Sequence, residues 1–173
     1  MRIITVSGAG SGKGKTALAV FLLSCLKGYA AIKVSSSGFF TRVTDSPEVI
    51  EEEGKDTALM KKAGASHVVW VQGPPEDISE TLSMAMSLVG DVPGVVIEGN
   101  SPLKAIRPDT AYFVIGEDGE MKPGADEALS KADVVVVNAD APSSELIKKI
   151  REFNPKADIT TFGALNSFLA QRP

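Results

Sequence analysis

Ser7-Gly8-Ala9-Gly10-Ser11-Gly12-Lys13-Gly14-Lys15-Thr16 is the most informative part of the 173-residue chain. It follows the apolar, β-branched run Ile3–Val6 and precedes Ala17–Leu23, whose composition favours a helix. A strand, a glycine-rich loop and a helix form the setting of a phosphate-binding loop. The stretch ends in the required Gly-Lys-Thr, and only Ala9 departs from G-x-x-x-x-G-K-[ST]. The sequence therefore predicts a phosphate-binding loop; the alternative is a glycine-rich turn that binds no ligand.

The residue types in this loop suit a triphosphate. Glycines permit positive φ, so successive backbone N–H groups can converge on phosphate oxygens. We expect Lys15 to contact the β- and γ-phosphates and to take part in catalysis, and the hydroxyl of Thr16 to bind Mg²⁺. Lys13 is an additional cation that contacts either phosphate or solvent, and we favour solvent. The residues predicted here to bind nucleotide are Gly10, Ser11, Gly12, Lys13, Gly14, Lys15, Thr16 and Ala17.

Composition and charge indicate one globular domain covering residues 1–173. Apolar residues make up 43% of the chain, charged residues make up 23%, and the net charge is -4, values that are ordinary for a soluble protein. The acidic balance gives no indication of a nucleic-acid partner. No apolar run reaches the ~18 residues of a membrane span, and no signal peptide is visible, so we expect a cytoplasmic protein. One cysteine, Cys25, and one histidine, His67, make a zinc site unexpected.

Apolar runs alternate with helical patterns along the rest of the chain. Strands that are apolar throughout and alternate with helices indicate an α/β fold: a mainly parallel sheet with helices on both faces, the three-layer sandwich of P-loop NTPases. The predicted strands are Ile3–Val6, Ala30–Val34, Val68–Val71, Val95–Ile97, Ala111–Ile115, Val134–Val137 and the edge-like Ile159–Thr161. The predicted helices after the first are Asp56–Ala63, Ile78–Leu88, one running from Pro142 towards Phe153, and a short terminal one. Residues 35–54 read as a long loop, either a mobile active-site loop or a plain surface loop.

Two acidic residues are candidates for metal binding and catalysis. Glu98 follows the apolar run Val95–Ile97, and ligands of parallel sheets bind beyond the carboxyl ends of the strands. We therefore predict that Glu98 binds Mg²⁺ or positions water, and the alternative is a structural salt bridge. Asp56 begins a predicted helix and is the second candidate for the same roles, with helix capping as its alternative.

Asn138 is the candidate for contact with the nucleotide base. It follows the strand Val134–Val137, at a position where P-loop proteins often bind the base. The sequence Asn138-Ala139-Asp140-Ala141 lacks the complete Asn-Lys-x-Asp pattern of guanine-binding proteins. A simple turn after a buried strand is therefore an equal alternative.

The order of several motifs resembles that of the molybdopterin-guanine dinucleotide biosynthesis protein B family. The likeness covers roughly residues 1–115. It rests on the phosphate-binding loop and on the motifs Lys33-Val34-Ser35, Gly54-Lys55-Asp56-Thr57, Lys62-Ala63-Gly64-Ala65 and Val95-Val96-Ile97-Glu98-Gly99. Departures from the family pattern are Ala9 in the loop and Val34-Ser35 where a histidine often follows the lysine.

The resemblance implies a slow Mg²⁺-dependent NTPase that binds GTP or ATP. Family members look like small P-loop GTPases that assist the nucleotidyltransferase of molybdenum cofactor biosynthesis, and they typically form dimers. Carried over by position, the loop through Thr16 would bind phosphate, Thr16 and Glu98 would bind Mg²⁺, and Asp56 would lie near the γ-phosphate. Two alternatives stay open: a small-molecule kinase or ligase resembling dethiobiotin synthetase, and a regulatory or scaffold module that binds nucleotide without turnover.

Overall fold

The computed structural model describes residues 1–170, in which strands and helices alternate along the chain. The strands are β1 (Arg2–Gly8), β2 (Ala30–Ser36), β3 (Arg42–Thr44), β4 (Val68–Gly73), β5 (Gly94–Glu98), β6 (Thr110–Gly116), β7 (Val134–Asn138) and β8 (Asp158–Thr161). The helices are α1 (Lys15–Cys25), α2 (Pro47–Ile50), α3 (Asp56–Lys62), α4 (Ile78–Val89), α5 (Pro102–Ala105), α6 (Ala125–Ser130), α7 (Ser144–Phe153) and α8 (Leu165–Ala170). A 3₁₀ turn, Pro75–Asp77, precedes α4.

The strands belong to one eight-stranded sheet in the order β3-β4-β2-β5-β1-β6-β7-β8. The pairs β1–β5, β2–β4, β2–β5, β6–β7 and β7–β8 are parallel, whereas the short β3 runs antiparallel to β4. This mainly parallel α/β arrangement confirms the fold class that the alternating apolar runs predicted. No helix in the described part of the chain has the length and apolar character that crossing a bilayer requires.

The described chain groups into two compact units. The first contains Met1–Val6 and Thr16–Asp109, and the second contains Ser7–Lys15 and the residues from Thr110 onward. The expectation of one domain over residues 1–173 stays a prediction, and residues 171–173 lie outside the described part.

In the first unit, the register of β2 and β5 determines which polar groups meet. Every residue of β5 is buried, and successive side chains of a strand point to opposite faces, so both faces of this strand are covered. Helix α4 packs its apolar side on this part of the sheet through Ile78, Leu82, Ala85 and Val89. In the parallel pairing of β2 with β5, Lys33 lies opposite Glu98.

In the second unit, β6 is a buried strand. All seven of its residues are buried, and its neighbour β7 is buried up to Asn138, where the strand ends at the surface. Helix α7 begins as its sequence predicts, because the Ser143 hydroxyl accepts a hydrogen bond from the backbone N–H of Leu146 at 3.1 Å.

The segment between residues 35 and 54 differs from its predicted form. We expected one long loop, but it contains the strand β3 and the four-residue helix α2. Pro47 stands at the start of α2, where its missing N–H has no intrahelical partner to lose. Only three residues of β3 pair with β4. A strand of this length is too short to show a recognisable alternation of apolar and polar residues in the sequence.

Candidate functional site

The phosphate-binding loop has the backbone that its glycines predict. Gly12 and Gly14 have φ values of 70° and 105°, in the region that residues with a Cβ rarely adopt. Helix α1 begins at Lys15, so the loop leads directly into a helix N-terminus, where the first N–H groups lack intrahelical partners. Loop and helix start are thus arranged as in an anion-binding site.

Lys15 turns back over the loop that precedes it. Its Nζ donates a hydrogen bond to the carbonyl of Gly10 at 2.6 Å. A Cβ at Gly8 would lie 2.7 Å from the carbonyl oxygen of Val114 and 2.9 Å from Cγ of Lys15. A side chain at position 8 would therefore displace the lysine, which explains why glycine stands there.

The first half of the loop is hydrogen-bonded both to β6 and to the segment that follows it. The N–H of Ala9 donates to Val114 at 2.8 Å, and the carbonyl of Ala9 accepts from the N–H of Lys122 at 2.7 Å. The ammonium of Lys122 also donates to the Ser11 hydroxyl at 3.0 Å. Ala9 is 1% exposed, so the methyl group that breaks the sequence pattern is buried and tolerated.

Lys13 does not simply extend into solvent, which corrects our interpretation from the sequence. Its ammonium forms an ion pair with Asp118, and its stem would lie 3.1 Å from a Cβ at Gly116. The hydrogen bond from Lys13 is the main reason that the pKa of Asp118 lies below its usual value, and the N–H of Glu120 lowers this pKa further. The side chain thus ties the loop to the end of β6.

The side chain of Asn138 contacts the backbone of the phosphate-binding loop. Its amide Nδ2 donates to the carbonyl of Lys13 at 3.3 Å, and it would lie 3.3 Å from a Cβ at Gly14. The ring of Phe162 would be 3.2 Å from the same Cβ. Phe162 had no sequence signal of its own. Asn138 therefore does more than form a turn, and its predicted contact with a base stays a prediction.

Thr16 and Glu98, which the sequence predicts to bind Mg²⁺, are in direct contact, and their role in metal binding stays a prediction. The Thr16 hydroxyl donates to Oε2 of Glu98 at 3.1 Å, although 82 residues separate the two in the chain. Glu98 is 1% exposed, whereas Ala17, the next predicted contact residue, is exposed on α1.

Lys33 is the site residue whose role sequence reasoning missed. Its Nζ lies 2.7 Å from Oε1 and 2.8 Å from Oε2 of Glu98, and 2.6 Å from Oδ2 of Asp56. The ion pair that we considered as the alternative role of Glu98 is thus present. Asp56 is the first residue of α3, and the capping position belongs to Lys55.

The oxygen atoms around Lys33 also suit a magnesium ion. Mg²⁺ prefers oxygen ligands and is commonly held by one or two carboxylates together with substrate phosphates. Glu98 and Asp56 supply two carboxylates that meet at the Lys33 ammonium, and the Thr16 hydroxyl donates to one of them, Glu98. Among the described residues, no group of three or more His, Cys, Asp or Glu side chains could hold a metal ion.

Comparison with known proteins supports the fold alone. No protein-family model matches this sequence, and no curated protein sequence matches it either. HypB from Helicobacter pylori, solved in complex with nickel, is similar in structure, with a TM-score of 0.61 and 12% identity over 99% of this chain and 86% of that chain.

Two structures of a plasmid partition protein from Borrelia burgdorferi are more distant. They have TM-scores of 0.38 and 0.37, identities of 16% and 14%, and coverages of 93% and 99% of this chain and of 77% and 86% of theirs. These scores are too low to carry an argument. The mainly parallel α/β fold is therefore shown by the sheet of this chain and by its structural likeness to HypB.

Proposed function

We propose that this chain binds a nucleoside triphosphate, GTP or ATP, at the loop ending in Lys15 and Thr16, and hydrolyses it slowly with Mg²⁺. The observation that carries the proposal is the position of Lys15, whose ammonium lies 2.6 Å from the carbonyl of Gly10. The cation is thereby held over the loop, where phosphate would bind, and is not extended into solvent.

The chemistry that we propose assigns a task to each residue. Lys15 and the N–H groups at the start of α1 hold the phosphates and stabilise the charge that develops when water attacks the γ-phosphate. Thr16, Glu98 and Asp56 would hold Mg²⁺, which when bound neutralises phosphate charge. Glu98 is the candidate for orienting the attacking water, because it is the buried carboxylate of the set.

Binding can be tested separately from turnover. Fluorescent ATP and GTP analogues should bind the wild-type protein in the presence of Mg²⁺, and the variant Lys15→Ala should bind them roughly 100-fold more weakly, since charge-assisted hydrogen bonds are lost. Lys131→Ala is a matched control, because Lys131 pairs with Glu127 on an exposed surface. If Lys15→Ala binds as tightly as the control, the loop does not bind phosphate in the way proposed.

Turnover then separates the proposed NTPase from its two alternatives. Phosphate release in water supports an NTPase, and turnover that requires an added small molecule supports a kinase or ligase. Tight binding with no turnover under any condition supports a regulatory or scaffold module.

For the biological role we propose assistance to molybdenum cofactor biosynthesis by a cytoplasmic homodimer. The support is the motif order that ends in the Glu98-Gly99 pair, within the first 115 residues. Co-purification with a molybdenum-cofactor nucleotidyltransferase, and sedimentation with and without nucleotide, test partner and dimer separately. A monomer that neither binds this enzyme nor raises its rate would exclude this role while leaving nucleotide binding untouched.

A further inference from the structure

We propose that the Lys33 ammonium and a divalent metal compete for the same carboxylate oxygens, so that the site rejects free Mg²⁺ and accepts the metal only together with an anionic ligand. This inference rests on the metal role of Glu98 and Asp56 in the proposed function. It concerns how Lys33 regulates that role.

The first argument is the crowding of oxygen atoms around one cation. Three carboxylate oxygens, two from Glu98 and one from Asp56, lie within 2.8 Å of Nζ of Lys33. A magnesium ion binds its oxygen ligands at about 2.0–2.1 Å. A metal bound to Glu98 and Asp56 would therefore stand within a few ångströms of Nζ. The two cations would repel each other, most strongly beside the buried carboxylate of Glu98.

The second argument is that the backbone of Lys33 is fixed in the sheet, whereas its side chain is long and has several rotatable bonds. Its backbone lies in β2, paired in register with Glu98 of β5, so the lysine cannot leave the neighbourhood. Its side chain is 15% exposed, and its long stem allows the ammonium to move aside. The charge of Glu98, which is 1% exposed, would be left without a counter-ion if Lys33 moved before another cation arrived.

These two facts make metal binding an exchange of cations. Free Mg²⁺ gains the carboxylates but must displace an ammonium that already balances one of their two negative charges, so the net gain is reduced. A metal that carries a polyphosphate brings negative charge with it, which the displaced ammonium can face. Lys33 would then help the site to discriminate between the free metal and the metal–polyphosphate complex.

The test measures Mg²⁺ binding without nucleotide, by calorimetry and by the metal-dependent shift in Tm. Wild-type protein should show little response to millimolar MgCl₂, whereas Lys33→Met should bind Mg²⁺ at least about 10-fold more tightly, because one nearby positive charge is removed. In the absence of metal, Lys33→Met should melt on the order of 10 °C lower, as expected when a buried ion pair loses one partner. Mg²⁺ should restore much of this loss.

Matched variants make the result decisive. Lys131→Met removes an exposed, paired lysine and should resemble wild type, and the double variant Lys33→Met with Glu98→Gln should lose the gain in Mg²⁺ binding. Lys33→Gln, which keeps a hydrogen-bond donor, replaces Lys33→Met if the latter does not fold. No gain in Mg²⁺ affinity over Lys131→Met would overturn the inference, even if nucleotide binds. A gain without any nucleotide binding would support it and count against the proposed function.

Discussion

The carboxylate of Glu98 is buried at the end of β5, and its charge is balanced by the ammonium of Lys33 at 2.7 Å. A single side chain thus combines an ion pair with a hydrogen bond from Thr16. The structural and catalytic interpretations of Glu98 are consequently compatible, and they predict different measurements on the same variant.

We expect Glu98→Gln to lower both stability and turnover. Glutamine keeps the shape but leaves Lys33 with one carboxylate, so Tm should fall. If Glu98 also serves the metal or the attacking water, hydrolysis per folded molecule should fall by roughly 10²-fold. The control is Glu127→Gln, which disturbs an exposed pair with Lys131. A wild-type rate in a destabilised Glu98→Gln protein would limit Glu98 to its structural role.

A second prediction at this scale concerns Asp118, whose pKa lies below its usual value chiefly because Lys13 donates to it. A folded-state pKa below the unfolded value stabilises the protein at pH values above the usual aspartate range, and this contribution is lost as the pH falls through the folded-state pKa. In Lys13→Met the pKa of Asp118, followed by NMR, should rise towards its usual value. An unchanged titration would show that Lys13 does not hold the carboxyl in solution.

Among the elements, those that bury continuous apolar runs were predictable, whereas β3 and the short helices α2, α5 and α6 were not. The run Val134–Val137 can only be a strand covered on both faces, and β7 confirms it. Helix α5 has four residues and α6 has six, which is too few for a period of 3.6 to become visible.

The polar contacts of the site were predictable in part. Thr16 and Glu98 belong to recognisable motifs at the ends of predicted elements. The role of Lys33 depends on the register between β2 and β5, which places Lys33 opposite Glu98. No local sequence pattern predicts that register. Phe162 reaches Gly14 from a turn more than 140 residues away, and for the same reason its contact could not be predicted.

At the scale of the loop, Gly14 and Gly12 provide a matched pair of substitutions. A Cβ at position 14 would lie 3.2 Å from Phe162 and 3.3 Å from Asn138, at a φ of 105°, whereas a Cβ at position 12, with a φ of 70°, has no atom within 4 Å. We expect Gly14→Ala to shift the loop and to weaken binding of inorganic triphosphate at least about 10-fold. Gly12→Ala carries only backbone strain of about 1 kcal/mol. Equal losses in both variants would mean that the support from Phe162 and Asn138 does not matter for binding.

For the molecule as a whole, the fold and the candidate binding site depend on the sequence in different ways. This chain shares its fold with HypB at only 12% identity, because many apolar sequences can satisfy the same pattern of buried strands. The site depends on a few particular residues, so its function cannot be inferred from a likeness in fold to another protein. The stability of the folded chain in the presence of ligand connects the fold with the site, because ligand bound at the site stabilises the whole fold.

A ligand that binds only the folded chain must raise its melting temperature. At a concentration 100 times its Kd, the gain is about 2.7 kcal/mol, which for a chain of 173 residues corresponds to a rise in Tm of roughly 5–10 °C. We expect this rise with Mg²⁺ and either ATP or GTP, and the nucleotide that gives the larger shift at equal concentration is the preferred one. Inorganic triphosphate should give part of the rise, because the loop holds phosphate.

Two controls connect that shift to the loop. In Lys15→Ala the rise should disappear with every triphosphate, while the melting temperature without ligand stays close to that of wild type, since Lys15 belongs to the loop and not to the apolar core. In Lys131→Ala the rise should be complete. A full rise in Tm for Lys15→Ala would show that the nucleotide binds elsewhere on the molecule. If neither nucleotide at millimolar concentration raises the Tm of the wild-type protein, nucleotide binding is excluded as the function of this chain.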